Sequence, residues 1–133
     1  MQMPLNDIVE EDTPALYHTL IGKLAPFELA FLSLVHAGDE ELLRWIRGAW
    51  PTTLVVNRQD RPRADIAIDV DAGRADIGSV GRYVLANPDL VLRLRTDARL
   101  NEADHTTFYT GCEHGYTDYS TLMASADKTA ELS

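Results

Sequence analysis

The chain has 133 residues, 45% hydrophobic and 25% charged, the composition of an ordinary soluble globular domain and not of a disordered tract. Its formal net charge of −9 opposes binding to phosphate backbones, and no Lys/Arg stripe interleaved with aromatics offsets it, so nucleic acid is excluded as a partner. No apolar run approaches the roughly 20 residues that span a bilayer, the N-terminus MQMPLNDIVEEDTP is acidic where a signal peptide would be basic, and the single cysteine, Cys112, allows no internal disulfide, which together point to the cytoplasm.

Thr13-Pro14 predicts a helix start, with Thr13 as N-cap and Pro14 at the first helical position; Leu16, Leu20 and Leu24 then recur every four residues, and the helix should end before Pro26. The nearly continuous apolar run from Leu29 to Val35 reads as a parallel strand covered on both faces. Asp39, Glu40 and Glu41 open a second helix and Arg44 and Arg47 lie near its end, both favourable with the helix dipole, with Gly48 as terminator. Leu42, Leu43, Ile46 and Trp50 share one face of it.

Thr53 to Val56 follows as a second buried strand, and a third helix is expected from about Pro62 to Ala72, with Ile66, Ala67 and Val70 inward and Gly73 as stop. A third, weaker strand covers Ala75 to Val80. Asn87-Pro88-Asp89 then predicts a helix with Asn87 as N-cap, Leu90, Val91 and Leu94 inward, and an end near Thr96. From Asn101 onward the chain reads as loop, its last ten residues frayed. Strands alternating with helices mean βαβ units, a parallel sheet and an α/β fold.

The local feature with most chemistry is Val80-Gly81-Arg82, where a strand ends in Gly-Arg shortly before a helix. Glycine admits a ligand to the backbone and arginine offers phosphate a two-pronged donor. Taken alone, a strand-end Gly with a surface Arg is the better explanation. Gly81 to Val91, GRYVLANPDLV, continuing through Arg93-Leu94-Arg95, resembles the GRPFIANPDLVxRLR signature of the old yellow enzyme family. Leu100 to Asp104 resembles that family's PLNEPD, Thr107-Phe108-Tyr109 its TFY, and Gly115 to Tyr119 its GYTDYP, with Ser120 for the final Pro.

This resemblance, over about residues 6 to 122, implies the C-terminal portion of a flavin-binding TIM (β/α)8 barrel, equivalent to strands 6–8 with their helices, followed by a disordered tail at 123–133. A whole barrel needs about 250 residues, so a truncated chain lacking the catalytic N-terminal strands is expected. The implied activity is that of an FMN-dependent NAD(P)H oxidoreductase of activated alkenes. The implied FMN-phosphate ligands are Gly81 and Arg82, beside the backbone of Val80, and Phe108 and Tyr109 are the implied aromatics on the substrate side. Where the family has a Gly-Gly turn after strand 7, this chain has Asn57-Arg58-Gln59-Asp60, so either Arg58 compensates by charge or the phosphate half-site is impaired. Ser33 stands where the family often has a His.

No catalytic residue is assigned, because the family's catalytic groups lie on earlier strands. An open three-stranded piece exposes edges and a face, which implies a homo-oligomer or a complementary chain. The other reading is a noncatalytic remnant or phosphate-binding module. His18 and His36 read as hydrogen-bonded or solvated histidines, and Cys112-x-His114 falls short of a metal site, for which the usual ligand count is four. His105 and His114 flank a loop, Cys112 has no basic neighbour to make it a nucleophile, Trp45 and Trp50 read as packing residues, and Glu10-Glu11-Asp12 as a solvated capping cluster. Arg58, Arg61 and Arg63 form a basic knot that is either surface charge or a phosphate-facing loop.

Overall fold

The computed structural model describes residues 12–36, 38–58, 62, 65, 67–110 and 112–123. The chain divides into two compact units, Met1–Ser79 and Val80–Ser133. The expected frayed tail and the Glu10-Glu11 part of the capping cluster lie outside the described residues, as do Gln59, Asp60, Arg61 and Arg63. No described helix is long and apolar enough to cross a membrane.

The first unit opens with α1, Thr13–Leu24, followed by a 3-10 turn, Ala25–Phe27. Its cap is Asp12 rather than the expected Thr13: the Asp12 carboxylate accepts from the Ala15 amide, which places Pro14 at the second helical position. The buried face also differs from the leucine stripe. Leu16 and Leu20 are exposed, whereas Ile21 is buried and Tyr17 and Leu24 pack beside it. With apolar residues around much of the helix, spacing alone could not choose the inward side.

Three strands form a parallel sheet in sequence order: β1 Phe31–His36, β2 Thr53–Arg58 and β3 Ile77–Ser79. Leu32 pairs with Leu54, Val55 with Ile77 and Asn57 with Ser79. Leu54 and Val56 are buried on the helix-facing side, with Leu43 and Ile46 of α2 (Glu40–Ala49), Trp50, Ala75 and Ile21. On the opposite side Phe31, Val35 and Ile77 are exposed, so the continuous apolar run of β1 is covered on one face rather than two.

Helix α2 begins as expected, with Asp39 accepting from the Leu42 amide and Glu40 and Glu41 in the first turn. It continues through Gly48 and ends at Trp50, whose extended backbone is what the following Pro51 imposes. The third helix is one turn, α3 Ile68–Asp71, stopped at Gly73 with φ +66°. Its orientation reverses the expectation: Ala67 and Val70 are exposed and Asp69 is buried, because Asp69 has charged partners inside; Ile66 lies outside the described residues.

The second unit contains α4, Arg82–Ala86, and α5, Leu90–Arg95, joined through Asn87-Pro88-Asp89. Asp89, not Asn87, occupies the N-cap position of α5. Asn87 is fully buried, donating to the Tyr83 carbonyl and accepting from the Asn101 amide. Leu90 is buried as expected, but Val91 and Leu94 are exposed and Arg93 is buried instead.

Candidate functional site

In the first unit, strand parity decides where side chains go. Arg58 shares the helix-facing parity of Leu54 and Val56, while Asn57 lies on the other face with Val55. Arg58 therefore projects among α2, α3 and the end of β1. Its Nε and Nη2 donate to the two oxygens of Asp69 at 2.5 and 2.6 Å. Its Nη1 and Nη2 donate to the Glu40 carboxylate, and Nη1 also reaches His36 Nδ1 at 2.8 Å.

His36 completes the cluster. Its Nδ1 accepts from Arg58 and from the Gly38 amide, and its Nε2 meets the Asp39 carbonyl at 2.8 Å, a partner set that assigns the proton to Nε2. The side chains of Arg58 and Asp69 are 9% and 6% exposed. Hydrogen bonds from Arg58, then from Arg74, outweigh desolvation and hold the Asp69 carboxyl at about 2. The same partners push the Arg58 guanidinium further up. Glu40, Arg58 and Asp69 line an open cavity of about 680 Å³ together with Arg44, Asp65 and Arg74.

Nearby, Asp76 accepts from the Leu54 amide and from Arg47, and these lower its pKa. His18 stacks on Trp45 at 3.9 Å. Trp50 is buried, with no partner for its indole Nε1 among the described residues.

The second unit carries Val80, Gly81 and Arg82 in the residues immediately after β3. Val80 is half-buried and Gly81 exposed, and a Cβ placed on Gly81 would meet nothing within 4 Å. The Arg82 guanidinium lies 5.5 Å from the Tyr83 ring centre. An exposed backbone with open space beside it, followed by a guanidinium, fits an anionic phosphate chemically. The Arg58 donors lie on Asp69, Glu40 and His36.

The remaining motif residues mostly hold one another. Thr107 is buried and its hydroxyl donates to the carbonyls of Asp104 and Gly115. Gly115 has φ +70°, and a Cβ there would stand 2.0 Å from the Thr107 hydroxyl oxygen, so no other residue fits without displacement. Phe108 is half-buried between the rings of His105 and Tyr109, at 4.9 and 6.5 Å, and Tyr109 is 97% exposed. Asp118 accepts from the Gly115 amide and meets His114 Nδ1, contacts that lower its pKa, the histidine first. Cys112 is exposed. Among the described residues no group of three or more His, Cys, Asp or Glu could hold a metal ion.

A second network went unrecognised in the sequence. Asp89 accepts from Arg93 Nε at 2.5 Å and from the Leu122 amide at 2.7 Å, and these bonds, the amide first, lower its pKa. Arg93 also donates to the carbonyls of Arg99 and Ser120. The i, i+4 spacing of Asp89 and Arg93 was the available signal.

Sequential parallel strands alternating with helices define the α/β class and are consistent with consecutive units of an α/β barrel. Among curated proteins, the chain is 35% identical over 118 residues to the "Probable flavin mononucleotide-dependent alkene reductase" of Leishmania infantum, covering 86% of this chain and 32% of that protein. It is 31% identical over 130 residues to the 12-oxophytodienoate reductase-like protein of Solanum lycopersicum, covering 92% of this chain and 35% of that protein. Among solved structures, morphinone reductase in complex with tetrahydroNAD matches with a TM-score of 0.77 at 32% identity, covering 89% of this chain and 33% of that one. The old yellow enzyme from Trypanosoma cruzi matches with a TM-score of 0.77 at 28% identity, covering 90% and 33%. No protein-family model matches. The chain belongs to the old yellow enzyme family. It spans about a third of the length of these relatives.

Proposed function

We propose that this chain supplies the phosphate side of the flavin pocket in an FMN-dependent NAD(P)H oxidoreductase that reduces activated alkenes, as the equivalent of barrel strands 6–8, acting in the cytoplasm. The observation that carries the reading is the Val80-Gly81-Arg82 turn directly after β3, with its open backbone and adjacent guanidinium, in a chain of this family. Gly81 and Arg82 hold the phosphate, with the backbone of Val80 beside them. Phe108 and Tyr109 face the substrate side.

Bound FMN would supply hydride transfer between NAD(P)H and the alkene. These residues contribute binding and orientation. The proton donor and the groups that hold the flavin ring are supplied by strands other than the three described here.

The experiment is titration of the chain with FMN, followed by absorbance, and then NADPH oxidation with an enone. A perturbed flavin spectrum, with turnover once the other barrel strands are supplied in trans, supports the reading. Absence of both sinks it for this chain. The second reading, a noncatalytic flavin-binding module that needs a partner chain, is favoured by the exposed Phe31, Val35 and Ile77 on one face of the sheet. It predicts flavin binding without turnover.

A further inference from the structure

We propose that Arg58 is a buried counter-ion that positions the C-terminal ends of β1 and β2, not a ligand of the cofactor phosphate, so that the phosphate charge is met by Arg82. This rests on the flavin reading above. A side chain at Arg58 follows Leu54 and Val56 toward the helix layer, whereas Asn57 lies on the open face.

A guanidinium has five N–H donors, and Arg58 has five acceptor contacts: two to Asp69, two to Glu40 and one to His36. No donor is left for a phosphate oxygen. Two carboxylates already hold the Arg58 guanidinium, and a phosphate dianion would have to displace Asp69, which is almost wholly buried and also paired with Arg74. What the cluster does instead is tie His36 at the end of β1 and Arg58 at the end of β2 to Glu40 at the start of α2 and Asp69 in α3. Asn57, one residue earlier, is thereby held in its pairing with Ser79.

The test uses the full chain, with FMN and riboflavin as paired probes that differ only in the phosphate, and flavin fluorescence quenching as the readout. The variant Arg58→Met/Asp69→Leu removes both halves of the principal ion pair. It is expected to keep the parent's preference for FMN over riboflavin within about twofold, whereas Arg82→Gln lowers that preference about tenfold. A paired variant that loses the preference as Arg82→Gln does, or an Arg82→Gln protein that keeps it, overturns the proposal.

If the parent binds neither flavin, the flavin reading fails, and urea unfolding decides the role of Arg58. Arg58→Met and Asp69→Leu each lower the unfolding midpoint, and the pair recovers most of the loss. Additive losses in the pair overturn the assignment. Where a single variant does not fold, a folded pair supports the coupling and an unfolded pair refutes it.

Discussion

Asp69 illustrates how one side chain can override the pattern around it. In α3 the apolar Ile68 and Val70 face outward and the acid faces inward, because a bidentate guanidinium is the partner that makes a buried carboxylate tolerable. The folded-state value of about 2 lies below the ordinary ~3.9 of an unfolded Asp, so its stabilisation is complete above about pH 4 and is lost as pH falls through 2. Denaturant midpoints measured between pH 4 and pH 2 should fall more steeply for the parent than for Asp69→Asn. At neutral pH that substitution should cost about 3 kcal/mol, since it leaves Arg58 without its principal counter-ion. Asn87 makes a second residue-scale prediction. Its amide bonds Tyr83 and Asn101 from a fully buried position, and Asn87→Ala should lower the unfolding free energy by about 2–3 kcal/mol in urea titrations. The Asn-Pro-Asp signature was legible as a helix start, yet the role of Asn87 was not, because its partner Asn101 lies fourteen residues on.

At the scale of elements, the alternation of strands and helices was readable, since apolar runs of strand length separated by capped helical stretches leave few other solutions. Both ends of α2 follow from local chemistry, Asp39 at one and the Trp50-Pro51 step at the other. The inward face of α1 did not follow, as leucines on two sides compete and only packing against Leu43, Ile46 and Trp50 selects Ile21. Leu43 is fully buried where α2 meets the sheet, so Leu43→Ala should cost about 3 kcal/mol by the same urea measurement, and an exposed Leu16→Ala far less.

For the molecule as a whole, the sheet presents Phe31, Val35 and Ile77 to solvent on one face, and within the described residues β1 and β3 each have a strand partner on one side only. Such surfaces drive association. Light scattering on the chain alone should give a mass above that of one copy, and Phe31→Ser/Val35→Ser should return it toward a single copy; a monodisperse parent monomer would count against this. By itself the sequence determined the family, through GRYVLANPDLV, TFY and GYTDY, and the order of the α/β elements, because motif chemistry and hydrophobic period are local properties of the chain. Only the tertiary structure decided what Arg58 touches. In the sequence it was one charge of a basic knot with two readings, and folding brings Glu40 to it from eighteen residues before and Asp69 from eleven after. Ion pairing at that separation is set by packing and strand parity, not by composition.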